Sequence, residues 1–346
     1  MAITLLSVQD FVKMLESDML PIIDSRSESE FEHASIPGAV NIPLLNNSHR
    51  KEVGTLYKQQ GREAAVLRGF ELAGPHFHEM IKQALKFAPE KRVLLFCWRG
   101  GMRSSILSWI LGQNGFTVYL LKGGYKSFRN WALTTLNEHR KVIVLGGSTG
   151  SGKTELLEQI ASKGEQVIDL EKLANHKGSA FGALGKPQQP SNEMFENLIA
   201  LSWNRFNNNL PIWIENESRS IGSCTVPIPV YTLIRDSELI EINVGDKSRM
   251  ERITRDYGCF PPQVLEETTN KIKKRLGPQH AKNAIVLLQS GDFEGWLKII
   301  LDYYDKLYNY GNSLRNSQKI HHLDLILVPE NQFTDELIAL RRKIIN

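Results

Sequence analysis

Val142-Ile143-Val144-Leu145-Gly146-Gly147-Ser148-Thr149-Gly150-Ser151-Gly152-Lys153-Thr154 runs from four apolar residues into a glycine-rich loop that ends on Gly-Lys-Thr. An uninterrupted apolar run of this length reads as a buried strand. Beyond the loop, Glu155-Leu156-Leu157-Glu158-Gln159-Ile160 has helical spacing. Strand, loop and helix together are the setting in which this motif binds phosphate. The backbone N–H groups of Gly147, Ser148, Thr149, Gly150, Ser151 and Gly152 then cradle a diphosphate, and Lys153 reaches its outer phosphate. The Thr154 hydroxyl is the candidate Mg²⁺ ligand.

Outward from this loop, the charged stretch Glu138-His139-Arg140-Lys141 suggests a linker. Two domains are therefore expected, 1–137 and 138–346, the second a P-loop NTPase-like α/β domain with a helical C-terminal region. Ile212-Trp213-Ile214-Glu215 reads as its second strand, with Glu215 where an aspartate is more usual near a metal. Arg249, Arg252 and Arg255 recur every three residues after the strand Leu239–Val244. Such a helix either caps the phosphates or is a solvated basic face. The stretch His176-Lys177-Gly178-Ser179-Ala180-Phe181-Gly182 is too polar and glycine-rich for a core element, so it reads as a mobile substrate loop or a plain surface loop. From Pro262 onward the pattern is helical. Lys271, Lys273, Lys274, Arg275 and Lys282 cluster there, and Arg341, Arg342 and Lys343 lie near the end. A run like this is a nucleic-acid contact or a solvated helix face.

The N-terminal half carries a second anion-handling motif, Cys97-Trp98-Arg99-Gly100-Gly101-Met102-Arg103-Ser104. It follows the apolar run Arg92-Val93-Leu94-Leu95-Phe96 and precedes the helical pattern Ser104–Leu111. With short strands before Asp24 and over Thr117–Leu121, strand and helix alternate, which makes this an α/β domain too. A cysteine between a strand and a helix N-terminus meets inward-facing N–H groups and the positive helix end, and both favour the nucleophilic thiolate. Arg99 and Arg103 add positive charge for an anionic donor. Gly100 and Gly101 permit close backbone approach.

Bulk properties limit the alternatives. The chain has 346 residues, 41% hydrophobic and 23% charged, with three cysteines and a net charge of +4. That is a globular composition with room for two cores. No apolar run approaches the roughly 20 residues of a bilayer span, and three cysteines make no disulfide framework, so a reducing cytoplasm is expected.

The first 130 or so residues resemble the rhodanese family of sulfurtransferases. The resemblance is carried by Asp24-Ser25-Arg26, by Ile36-Pro37-Gly38-Ala39 with Asn41-Ile42-Pro43, by the Cys97 loop and by Leu121-Lys122-Gly123-Gly124. It implies a persulfide-type role for Cys97, with Asp24 and Arg26 in support. Common rhodanese loops place an arginine five positions after the cysteine, whereas Arg103 is six after Cys97. That C-x5-R-Ser spacing is also found in cysteine phosphatases, although Phe96 stands where those carry a histidine. The longer loop suits a donor larger than sulfide, such as selenophosphate.

A rhodanese unit in series with a P-loop is similar to the tRNA 2-selenouridine synthase family. The segments Val53-Gly54-Thr55-Leu56-Tyr57-Lys58-Gln59, Asn175–Gly182 and Glu215-Asn216-Glu217-Ser218-Arg219-Ser220-Ile221-Gly222 carry the same resemblance. It implies replacement of sulfur by selenium at C2 of wobble 2-thiouridine in the tRNA anticodon loop. Selenophosphate would be the donor, and an S-geranylated intermediate would come from geranyl diphosphate. Lys271, Lys273, Lys274, Arg275 and Lys282 then become candidate tRNA contacts, and the P-loop ligand is expected to be the prenyl diphosphate, with ATP not required. Phe181, Phe195 and Trp213 are candidates to line a slot for the prenyl tail beside that loop. The competing reading is a cysteine-dependent phosphatase or kinase that uses the C-x5-R loop and ATP. No membrane partner is expected, and the sequence is silent on oligomeric state.

Overall fold

The computed structural model of the chain describes residues 2–345. It divides into two compact units. One is the chain up to Thr135 together with Pro190–Arg205, and the other is Leu136–Gln189 together with the chain from Phe206 onward.

In the first unit, strands β1 (Ala2–Leu6), β2 (Ile22–Asp24), β3 (Ala39–Asn41), β4 (Arg92–Phe96) and β5 (Thr117–Leu121) form one sheet in the order β1-β5-β4-β2-β3. Every pairing is parallel. A parallel sheet is covered on both faces, so its central strand reads as continuous apolar sequence. Val93, Leu94, Leu95 and Phe96 are accordingly buried without exception. Asp24 pairs in register with Phe96, so the Asp24 turn and Cys97 share the carboxyl edge of the sheet, where open α/β folds bind ligands. The first strand lies outside the sequence expectation.

The helix Asn192–Arg205 also belongs to this unit, although the sequence reading assigns 138–346 to a single domain. Its buried Asn197 donates from Nδ2 to the Ser35 carbonyl (3.0 Å) and to the Tyr125 hydroxyl (2.8 Å). The same hydroxyl donates to Glu193 at 2.7 Å. Buried polar groups on both sides of the contact are thus satisfied only when this helix is in place.

The second unit holds β6 (Val142–Gly147), β7 (Gln166–Ile168), β8 (Ile212–Glu215), β9 (Ser220–Ile221), β10 (Cys224–Thr225), β11 (Glu238–Asn243) and β12 (Ile320–Asp324). Five of these make a parallel sheet in the order β12-β11-β6-β8-β7, and β9 and β10 form a small antiparallel pair. Leu145, Leu157, Trp213, Ile240 and Leu337 share its core. The helices between Asp246 and Ser313 build a further core around Leu265, Ala284, Trp296 and Leu297. After them the chain returns to the sheet edge as β12, which the helical expectation for this region omits. No helix among the described residues is long and apolar enough to cross a membrane.

Candidate functional site

The first unit presents Cys97 directly after β4, 3% exposed. Its sulfur accepts hydrogen bonds from the Gly101 N–H (3.2 Å) and the Ser104 hydroxyl (3.1 Å). Gly101 caps the helix Met102–Gln113, so the sulfur sits at the positive end of that helix. The loop is clamped from behind. The Tyr125 N–H donates to the Cys97 carbonyl at 2.8 Å and the Lys126 N–H to that of Trp98 at 3.0 Å. A Cβ at Gly124, whose φ is +61°, would lie 2.3 Å from the Cys97 carbonyl oxygen and 2.5 Å from the Gly100 nitrogen. Only glycine fits there, which gives the Leu121–Gly124 element its physical reason.

The two loop arginines differ. Arg99 is exposed and forms no ion pair among the described residues. Arg103 is held by Glu30, Nη1 to Oε2 at 2.6 Å and Nη2 to Oε1 at 3.3 Å. Glu30 also accepts from the Ser27 N–H and from Arg50 Nε, each at 3.1 Å. Burial alone would raise the Glu30 pKa. Arg103, the Ser27 N–H and Arg50 outweigh burial and bring it down to about 2. Sequence reasoning missed Glu30 because its partner lies 73 residues away; the only local signal is the capping box it completes with Ser27.

A carboxylate with a depressed folded pKa stabilises the fold above its unfolded value and loses that contribution as pH falls through the folded one. The first unit is therefore expected to lose stability as pH falls from about 4.5 towards 2. Glu30→Gln should flatten this acid limb in thermal melts followed by circular dichroism; an unchanged limb would contradict the assignment.

Asp24 and Arg26 form a fully buried pair. Arg26 Nη2 reaches Asp24 Oδ2 at 2.6 Å and the Ala34 carbonyl at 2.7 Å, and the guanidinium lies 4.0 Å from the Tyr125 ring centre. Asp24 also accepts from the Ser35 hydroxyl at 2.8 Å. With its polar atoms occupied, the pair holds the turn beneath the cysteine loop and does not face outward.

In the second unit, Gly150 (φ +81°) and Gly152 (φ +84°) allow the P-loop to curl between β6 and the helix Lys153–Ser162. Lys153 Nζ donates to the Gly147 carbonyl at 2.7 Å. A Cβ on Gly150 would lie 2.7 Å from Ile253 and 2.9 Å from the Arg249 carbonyl oxygen, so the helix Asp246–Tyr257 lies against the loop. Arg249 donates from Nε to the Thr149 carbonyl (2.9 Å) and pairs with Asp305 (2.6 Å). Arg252 pairs with Glu155 and Glu330, and Arg255 with Glu155. Arg249 and Arg252 are turned inward onto these protein partners, and Arg255 is largely solvated, at 60% side-chain exposure.

Tyr308, from the helix Phe293–Ser313, accepts from the Gly147 N–H and donates to Glu241 at 2.9 Å. The sequence reading missed it because nothing near residue 308 marks it as lying next to residue 147.

Thr154 Oγ1 lies 3.3 Å from Glu171 Oε2. Burial first, and then repulsion from neighbouring carboxylates (Glu158 in the case of Asp169), raise the pKa values of Asp169, Glu171, Glu215 and Glu217, that of Glu217 to about 8. Glu215 is 1% exposed; its Oε2 accepts the Glu171 N–H, and its Oε1 has no hydrogen-bond partner. Glu171 and Glu217 meet at Gly178, where a Cβ would lie 2.9 Å from an oxygen of each. This surplus of buried, hard oxygen donors fits Mg²⁺. Among the described residues no group of three or more His, Cys, Asp or Glu side chains is arranged to hold a metal alone. Thr154 and Glu171 are the pair that could hold such an ion beside ligand phosphates, the usual arrangement for Mg²⁺.

His176 is buried, which lowers its pKa, and its Nδ1 has no hydrogen-bond partner. Cβ atoms on Gly182 and Gly222 would lie 2.8 and 2.7 Å from its ring, so it is wedged between two glycines. Its loop is packed: the Ala180 N–H donates to Tyr304 at 2.9 Å, and the Phe181 ring meets that of Trp296 at 5.5 Å.

The proposed aromatic slot does not form. Phe181 fills the helical core, Trp213 fills the sheet core, and Phe195 is buried in the first unit. Lys271, Lys273, Lys274, Arg275 and Lys282 are all exposed. They lie on or between the helices Pro262–Lys271 and Pro278–Gln289 with no ion pairs among the described residues, as either a solvated face or a nucleic-acid contact would have them.

Comparison with known proteins matches residues 7–131 to the rhodanese-like domain family. Residues 140–325 match the family described as the tRNA 2-selenouridine synthase AAA domain. A tRNA 2-selenouridine synthase of Nitrosomonas europaea is 40% identical over 265 residues, covering 74% of this chain and 68% of its own length. One of Pseudomonas syringae pv. tomato is 34% identical over 353 residues, covering 91% of this chain and 92% of its own. That of Pseudomonas fluorescens is 35% identical over 342 residues, covering 88% and 91%.

Proposed function

The chain belongs to the tRNA 2-selenouridine synthase family of enzymes, and from that premise we propose how its two sites divide the exchange of sulfur for selenium in tRNA 2-thiouridine. The observation that carries the proposal is the pairing, in one chain, of a thiol held at a helix N-terminus with a P-loop braced by Arg249.

The second unit takes geranyl diphosphate, with Lys153 and the loop amides on the diphosphate and Arg249 bracing the loop through the Thr149 carbonyl. The sulfur of 2-thiouridine attacks C1 of the geranyl group. The S–C1 bond forms, the C1–O bond breaks, diphosphate departs with the electron pair, and the N3 proton passes to solvent. Thr154 and Glu171 would hold Mg²⁺, which when bound would supply positive charge to the departing diphosphate. ATP has no part in this step.

The first unit then handles selenophosphate at the Cys97 loop, with Arg99 and the loop amides on the anion. Selenium adds at C2, the C2–S bond breaks, and geranyl thiolate leaves and takes a proton. Water cleaves the P–Se bond and releases phosphate. Alkylation is what makes the sulfur a leaving group, since a thiocarbonyl sulfur cannot depart alone. The wobble base must leave its stack to reach either site, and the exposed lysines of residues 271–282 would hold the tRNA backbone while it does.

Nucleoside mass spectrometry on 2-thiouridine tRNA incubated with the full chain, without ATP, tests this. Geranyl diphosphate alone should yield the geranylated nucleoside, and both donors together should yield 2-selenouridine. Unchanged tRNA that becomes modified only when ATP is added would overturn the assignment of the P-loop to the prenyl donor.

A further inference from the structure

A cavity of about 740 Å³ opens in the first unit beside the cysteine loop, within the roughly 300–1,000 Å³ typical of small-molecule sites. It is bounded by the helices Asn47–Gln60 and Arg62–Ala73 and by Met102, Arg103 and Ile106 at the start of the helix whose N-terminus faces Cys97. The helix Asn47–Gln60 has no fully buried residue: Val53 packs against the core, while Tyr57 stays exposed. Tyr57, Phe70 and Met102, exposed by 59%, 47% and 42%, all turn to this one cavity. Apolar side chains exposed together in this way mark a binding surface.

Two further features specify the occupant. Gly54 and Gly69 line the cavity from inside the two helices, where glycine weakens a helix. Neither has a positive φ, and a Cβ at either position would meet nothing within 4 Å. No backbone or packing demand excludes a side chain there; what its absence leaves open is the groove. The lining also contains Arg50, Lys51, Lys58, Arg62 and Arg103 and no carboxylate. Lys51, Lys58 and Arg62 have no ion pair among the described residues.

We propose that this cavity holds the geranyl tail of the S-geranylated nucleoside while it is still part of the tRNA, with the cationic rim meeting the RNA phosphates. The inference rests on the two-step reading above. It selects the tRNA-bound intermediate over the diphosphate donor because Met102 and Arg103 belong to both the cavity and the Cys97 loop. An apolar chain whose reacting end is at Cys97 therefore runs into the groove. The cavity would also receive the geranyl thiol as it leaves.

The test uses the full chain and anticodon stem-loops carrying 2-thiouridine S-geranylated or S-methylated. Wild type should bind the geranyl RNA at least tenfold tighter than the methyl RNA. Gly54→Leu and Gly69→Leu should bring that ratio to within about twofold of unity. A preference that survives both substitutions in folded variants, or no preference in wild type, would overturn the proposal. A diazirine in the geranyl tail provides a check that needs no variant: cross-links on wild type should fall within residues 44–73 or 102–106, and cross-links confined to the second unit would refute it. Addition of selenophosphate to the geranyl RNA separates the two readings. If 2-selenouridine forms without a binding preference, only the cavity assignment fails; if none forms, the two-step reading itself fails.

Discussion

Cys97→Ser is expected to abolish 2-selenouridine formation, by on the order of 10³-fold or more, while the geranylated nucleoside still forms and accumulates. Serine keeps an oxygen where Gly101 N–H and the Ser104 hydroxyl now meet the sulfur, so the loop geometry should survive. What is lost is the thiol that positions selenium for addition at C2, which the smaller and far less acidic hydroxyl does not replace. Geranyl transfer depends on groups of the other unit and should proceed at the wild-type rate. Quantitative nucleoside mass spectrometry over a time course reads both products. Loss of geranylation alongside selenation would show that Cys97 serves both steps.

Lys153→Ala is expected to have the opposite effect. Lys153 now rests on the Gly147 carbonyl, where it can move onto a bound diphosphate. Removing a charge-assisted donor to a leaving group typically costs about 10²–10³-fold, and geranylation should slow by that order. Stem-loops geranylated beforehand should still be selenated at the wild-type rate, since that step passes through Cys97. If Lys153→Ala geranylates normally, the P-loop does not hold the prenyl donor.

Both loops are legible in the sequence because each is a contiguous element. Glycines where the backbone is crowded or left-handed, a nucleophile or lysine at a helix start and an apolar strand before it can all be read within a dozen residues. The arginine helix is half legible: its spacing is visible, but the packing of Arg249 on the Thr149 carbonyl is not. The groups that tune the sites are hidden for a different reason. Glu30 finds Arg103 across 73 residues, and Tyr308 finds Gly147 across 161. Neither has a local pattern that distinguishes it from an ordinary surface glutamate or core tyrosine. The helix Asn192–Arg205 looks like any amphipathic helix, and its place in the first unit rests on Asn197 satisfying Ser35 and Tyr125. The aromatic slot failed because large apolar side chains usually fill cores, as Phe181, Phe195 and Trp213 do here. The open apolar groove is instead marked by what is missing, at Gly54 and Gly69.

Division of labour between two separable sites is tested most directly by mixing the two broken variants. Cys97→Ser and Lys153→Ala proteins are placed together with 2-thiouridine tRNA, geranyl diphosphate and selenophosphate. One variant should geranylate the tRNA and the other should selenate the product, so 2-selenouridine reappears although neither protein makes it alone. Absence of 2-selenouridine from the mixture, with both proteins folded and each able to bind tRNA, would contradict two independent sites.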